Sequence, residues 1–104
     1  MKINAIRING ADNVATCVTK IMKGEMAAYL LDEAAESLTA AEDIPAWHKI
    51  ALTDLSAGDH IVKYGKVIGK ADRAIAKGGW VSHENISGIP RDYESELIDL
   101  PEQG

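Results

Sequence analysis

Four times in this chain an aliphatic residue opens a four-residue stretch that ends where the backbone has to turn. Three of these stretches end in glycine: Ile21-Met22-Lys23-Gly24, Leu55-Ser56-Ala57-Gly58 and Ile75-Ala76-Lys77-Gly78. The fourth, Ile44-Pro45-Ala46-Trp47, ends in tryptophan. In each, an aliphatic anchor can tuck into the core, two residues turn, and glycine supplies a positive φ before the chain enters a strand. The anchors are unevenly spaced, so a solenoid with a fixed period is excluded, and one turn device is reused instead. A side chain opposes positive φ by about 1–2 kcal/mol. The expectation at Trp47 is therefore a relaxed turn, with the indole partly buried beside His48 on a partner-facing surface.

Between these turns the apolar runs are short. Ile6 and Ile8 flank Arg7, Asn9-Gly10-Ala11-Asp12-Asn13 carries turn chemistry, and Val14, Thr16 and Val18 alternate with Ala15 and Cys17. Further extended candidates are residues 26–31, 37–40, 47–52, 60–64, 67–69 and 80–82. Many short strands at close spacing predict a compact all-β fold. One stretch competes: Leu30 to Ala41 is rich in helix formers, with Asp32 as an N-cap. It lies between β-like runs and lacks a long amphipathic stripe, so a hairpin is expected, with a turn over Asp32 to Glu36 and a second strand from Ser37.

A chain of 104 residues is long enough for one core. With no Phe, that core must be filled by Ile, Val, Leu and Ala. Residues 1–86 are read as the domain and residues 87–104 as an acidic linker or docking tail. From Arg91 onward five acids face that single base, so most of the net charge of −5 sits there. Neither part offers the basic surface that nucleic acid demands. The local run Lys63, Lys66, Lys70, Arg73 and Lys77 is interleaved with Asp59 and Asp72 and reads as a solvated face. No secretory leader or long apolar run is seen, and the lone Cys17 suits a reducing compartment, so a soluble cytoplasmic protein without membrane contact is expected.

Three histidines are the main chemical resource. None is paired at zinc spacing, so no metal site is expected on this chain alone. His48 is a candidate ligand, proton relay or hydrogen-bond donor to a polar substrate, or else a structural histidine at a strand start. Lys49, next in a strand, would point to the opposite face. His83, Glu84 and Asn85 place imidazole, carboxylate and amide together and could bind a hydroxylated acid, or could form a polar loop. His60 reads as a surface residue at a strand start, and Cys17 as a core residue rather than a nucleophile. No nucleophile elbow, phosphate loop or dinucleotide fingerprint is present.

The stretch IPAWHKIALTDLSAGDHIVKYGKVIGKADRAIAKGGWV resembles the SAF domain of the altronate and galactarate dehydratase family. The similarity rests on Ile44, Pro45, His48, Lys49, Ala51 and Leu52, then on Asp54, Gly58, Ile61, Lys63-Tyr64-Gly65, Ile68-Gly69, Ile75 and Gly78, with Asp12 to Ala15 matching an earlier turn and strand. It covers about residues 3 to 86. The resemblance implies a β-clip fold and an accessory role, as small subunit or N-terminal domain, beside a large dehydratase chain acting on a sugar acid. It implies a divalent metal, iron in the first instance, held by that larger chain. It also nominates His48 and Lys49 as catalytic residues and His83, Glu84 and Asn85 as substrate contacts, and leaves room for a homo-oligomer. Two features depart from the family pattern: Trp47 stands where the family has Gly, and Ser82-His83-Glu84-Asn85 stands where altronate-type relatives have His-x-His-Asn. A sulfolactate sulfo-lyase-like small subunit and a free-standing carbohydrate-binding module are the alternatives.

Overall fold

The computed structural model describes residues 2–88, which form nine strands and, among the described residues, no helix. In chain order these are β1 (Ala5–Ile6), β2 (Val14–Cys17), β3 (Met26–Leu31), β4 (Ala34–Thr39), β5 (Lys49–Ala51), β6 (His60–Lys63), β7 (Lys66–Ala71), β8 (Trp80–Val81) and β9 (Ile86–Ser87). The protein is all-β. A central antiparallel sheet has the order β1-β2-β5-β8, flanked by the hairpin β3-β4 and by the three-stranded β6-β7-β9. β9 ends at Ser87, the first residue of the expected linker or docking tail. The acidic tail beyond it, from residue 89, lies outside the described residues.

The alternation in Val14-Ala15-Thr16-Cys17 has a two-sided purpose, because the central sheet is covered on both faces. Ala15 and Cys17 of β2 and Ile50 of β5 enter one core with Ile21, Ile44, Ala27 and Leu38. Val14, Ala51 and Val81 point the other way, into a second core with Leu55, Ile61 and Ile75. Successive residues of a strand face opposite sides, so three short strands supply both cores. Burial pushes the Cys17 thiol up to about 11, so it packs as a small apolar group and is no nucleophile at neutral pH.

Each flanking hairpin is fastened to the central sheet by one asparagine, in the same way. Asn4 donates its N–H to Ala28 O, accepts Ala28 N–H on Oδ1 at 2.7 Å and donates Nδ2–H to Met26 O at 3.1 Å. Asn13 repeats this on β6, with Val62 and His60 in place of Ala28 and Met26. Beside it the Asp12 carboxylate accepts N–H groups of Gly65 at 2.7 Å and Asn9 at 3.0 Å, tying the β6-β7 tip to the preceding turn. Burial pushes the Asp12 carboxyl up, but the backbone donors of Gly65, Asn9, Tyr64 and Ile8 together outweigh it and hold the group below the usual carboxylate range.

The four anchored turns are copies of one another in hydrogen bonding. In each, the residue after the fourth position donates to the carbonyl of the second: Glu25 to Met22, His48 to Pro45, Asp59 to Ser56 and Gly79 to Ala76. The fourth residue itself donates to a neighbouring segment, Gly24 to Ala40, Trp47 to Cys17, Gly58 to Ala71 and Gly78 to Ala51. The anchors pair as antiparallel bridges, Ile21 with Ile44 and Leu55 with Ile75, one pair in each core. Asp43 and Asp54, each just before an anchor, cap the partner turn by accepting the N–H of Lys23 and of Lys77 at 2.8 Å.

Two expectations need correction. Trp47 keeps a φ of 69°, beside 91°, 93° and 87° at Gly24, Gly58 and Gly78, and it is 68% exposed. The turn has not relaxed and the ring is not partly buried beside His48. Relaxing it would break the bonds from Trp47 N–H to Cys17 O and from Cys17 N–H to His48 O, at a fully buried residue. An orphaned buried backbone group costs as much as the strain it would relieve. The second correction concerns the β3-β4 hairpin, which turns on Asp32 and Glu33 alone, with Asp32 at φ 54° and Ala34 already paired with Leu31. Ala34, Ala35 and Glu36 are exposed, so no apolar alternation marks them as strand.

Candidate functional site

His48 leaves the Trp47 turn and stands two residues before Ile50 on the same face of β5. The register pairs Ile50 with Trp80 and Lys49 with Val81. Trp80 is thus the diagonal neighbour of His48, within reach of long side chains across the strands. Its indole Nε1–H donates to His48 Nδ1 at 3.1 Å, and the rings meet edge to face, with centroids 5.4 Å apart and planes at 72°.

Trp80 is held at both ends of its backbone unit. Its N–H donates to Glu42 Oε2 at 2.9 Å, and its carbonyl accepts Asn85 Nδ2–H at 2.8 Å. The preceding Gly78-Gly79 pair lets this segment lie close to its neighbours. A Cβ on Gly78 would fall 2.3 Å from Thr39 O, in addition to the positive φ there. An open cleft of about 310 Å3 has Trp80, Glu42, Arg73, Glu84 and Asn85 in its walls. Arg73 reaches the Glu84 carbonyl at 3.4 Å.

The structure does not gather the sequence-predicted residues into one site. His48 is exposed on one face of β5, whereas Lys49 is half-buried on the other, as their alternation requires. Burial lowers the Lys49 pKa and the nearby Lys63 ammonium lowers it further. Lys63 itself lies 4.9 Å over the Tyr64 ring. His83 and Glu84 are exposed in a turn, and Glu84 N–H donates to Ser82 Oγ. Asn85 is buried: Oδ1 accepts Ser82 N–H and Nδ2 donates to Trp80 O, so its amide is committed to the turn and reaches His48 only through Trp80. His60 is exposed at the start of β6.

Sequence reasoning passed over Trp80 and Glu42. The Gly-Gly-Trp-Val stretch marked a turn, but the partner of Trp80 depends on the β5-β8 register, which joins segments some thirty residues apart. A divalent metal does not fit on this chain's described residues, among which no three His, Cys, Asp or Glu side chains cluster closely enough to hold one. No helix among the described residues is long and apolar enough to cross a membrane.

Comparison with known proteins shows the family of this chain. Residues 3–88 match the family described as the altronate/galactarate dehydratase SAF domain. The chain is 37% identical over 81 residues to the galactarate dehydratase (L-threo-forming) of Escherichia coli, covering 78% of this chain and 14% of that enzyme. It is 33% identical over 103 residues to the altronate dehydratase of the same organism, covering 94% of this chain and 20% of that enzyme. It is also 48% identical over 48 residues to the (2R)-sulfolactate sulfo-lyase subunit alpha of Paracoccus pantotrophus, covering 46% of this chain and 72% of that subunit. The chain thus spans a fifth or less of the dehydratases it resembles.

Proposed function

Because the chain belongs to the altronate/galactarate dehydratase SAF domain family, we propose that it works in the cytoplasm as an accessory domain or small subunit of a sugar-acid dehydratase, beside a large chain that supplies most of the catalytic groups. One observation carries the reading: nearly the whole folded body matches that family, yet it spans only 14–20% of the dehydratases it resembles. Loss of water from a hydroxy acid removes a proton α to a carboxylate and expels a β-hydroxyl, so it needs a base, an acid and a group that stabilises the charge on the carboxylate. The described residues of this chain do not assemble that set. The divalent metal belongs to the large chain, and no step is assigned to it here.

Within this reading His48 is the residue that meets the substrate, presented on an exposed turn and backed by Trp80. Lys49, a desolvated cation with Lys63 beside it, suits an anionic group brought to the opposite face by the large chain. Glu84 borders the cleft beside Trp80 and His83 stands exposed in the same turn, while Asn85 serves by holding Trp80 in place. Trp47, exposed although strained, belongs to the surface that meets the large chain.

The test is co-expression of the tagged chain with a large dehydratase chain from the same organism. A stable complex that removes water from galactarate or altronate is the expected result. Failure to co-purify, with turnover unchanged when this chain is omitted, would overturn the reading. Tight binding of either acid by the chain without a partner would instead favour a free-standing carbohydrate-binding module. A second chemistry is favoured by the similarity to a sulfo-lyase alpha subunit, of which the aligned region makes up 72%. Release of sulfite from sulfolactate by the same complex, with no water loss from the sugar acids, would select it.

A further inference from the structure

We infer that Trp80 is a positioning residue that fixes the tautomer of His48, so that His48 faces its ligand as a hydrogen-bond donor through Nε2–H and not as a base or a metal ligand. The inference rests on the assignment of His48 to the substrate-facing surface and specifies what that residue can do there. An indole N–H can only donate. Since it points at His48 Nδ1 from 3.1 Å, Nδ1 must carry the lone pair and accept. A neutral imidazole has one proton, which then resides on Nε2.

The backbone segments that carry both rings are fixed by hydrogen bonds, so the two residues are held in register for this contact. His48 is held by its N–H to Pro45 O and by Cys17 N–H to its own carbonyl. Trp80 is held by Glu42 and Asn85 on either side and by pairing with Ile50. To act as a base or to bind a metal through Nε2, the ring would have to move its proton to Nδ1. That would set two donors, Nδ1–H and the Trp80 N–H, against each other and forfeit the hydrogen bond. The outward Nε2–H is therefore matched to an oxygen that carries or gains negative charge. In an elimination α to a carboxylate, the carboxylate oxygens gain it as the proton leaves, and a preorganised neutral donor stabilises that charge. The base must then come from elsewhere.

The test needs no partner and so stands apart from the test of the accessory role. The full chain, labelled with 15N, is examined by long-range proton–nitrogen correlation at about pH 8.5, well above the ordinary imidazole pKa. The expected result is a single His48 tautomer, with a protonated-type signal at Nε2, an unprotonated-type signal at Nδ1, and a Trp80 indole proton slow to exchange with water. Trp80→Phe, which keeps the β8 backbone bonds, should leave the fold intact and release His48 into a mixture of tautomers. A proton on Nδ1 in the native chain, or the same tautomer populations in native and Trp80→Phe proteins, would overturn the inference.

Discussion

Trp47 occupies a backbone position that its three sister turns give to glycine, and the cost of that choice can be isolated. Two substitutions separate the terms. Trp47→Ala removes the indole and keeps a Cβ at φ 69°. The residue is 68% exposed, so only about 50 Å2 of apolar surface is lost, about 1 kcal/mol at ~25 cal/mol per Å2. Exchanging that Ala for Gly then removes the left-handed penalty of about 1–2 kcal/mol and gives back part of it, about 0.5–1 kcal/mol, as extra unfolded-state freedom. The Gly variant should therefore be about 1 kcal/mol more stable than the Ala variant, and no less stable than the native chain within about 0.5 kcal/mol. For a domain of this size that is a difference of about 4–8 °C in Tm. Gly58→Ala is the control. It has φ 93° with nothing within 4 Å of the added Cβ, so it should cost about the same 1 kcal/mol from backbone alone. Urea unfolding followed by circular dichroism reads all three. Equal stability of the Ala and Gly variants at 47 would refute the strain argument, as would a neutral Gly58→Ala.

Two further substitutions probe the charged groups. Asp12→Asn should cost about 1–3 kcal/mol near neutral pH, because an amide cannot serve all the N–H groups that the carboxylate accepts. The native Asp12 pKa is held below its unfolded value of about 3.9, so its contribution is complete above that pH and disappears as pH falls through the lower folded value. The gap between native and Asp12→Asn proteins should accordingly shrink below about pH 4, and a gap that widens there would be contrary to the account. Lys49→Met should leave the isolated chain as stable or more stable at neutral pH, since it removes a cation disfavoured by burial and by Lys63. A loss of more than about 1 kcal/mol in thermal unfolding would mean that the ammonium has a favourable partner.

Much of the fold was legible because its determinants are local. The anchor-and-glycine turns and the alternation of Val14 to Cys17 carry their own pattern and appear as expected, and the run expected over 60–64 forms β6 as far as Lys63, where Tyr64 enters the turn at φ 58°. What escaped lacks such a pattern. β9 has two residues, too few for a period, β1 was expected around Ile6 but stops there instead of reaching Ile8, and the outer half of β4 is exposed. At Trp47 local propensity favoured a relaxed turn, and tertiary hydrogen bonds at Cys17 and the Ile21–Ile44 bridge overrode it. His48 stood out by residue type and by family resemblance. Its partnership with Trp80 could not be read, because it depends on cross-strand register. Asn85 was chosen for the right chemistry, yet Ser82 and Trp80 take up its amide.

Under the proposed function, His48 is the group this chain brings to a dehydratase. The most direct measurement is the rate of water loss from galactarate and altronate by the complex with the large chain, carrying native His48 or His48→Ala. His48 is exposed, so the variant should fold normally, and its assembly is checked by co-purification before the rate is read. The predicted result is an intact complex whose turnover falls by about 100-fold or more, the usual cost of removing one donor from developing charge. An intact complex whose turnover stays within twofold of the native rate would contradict the account.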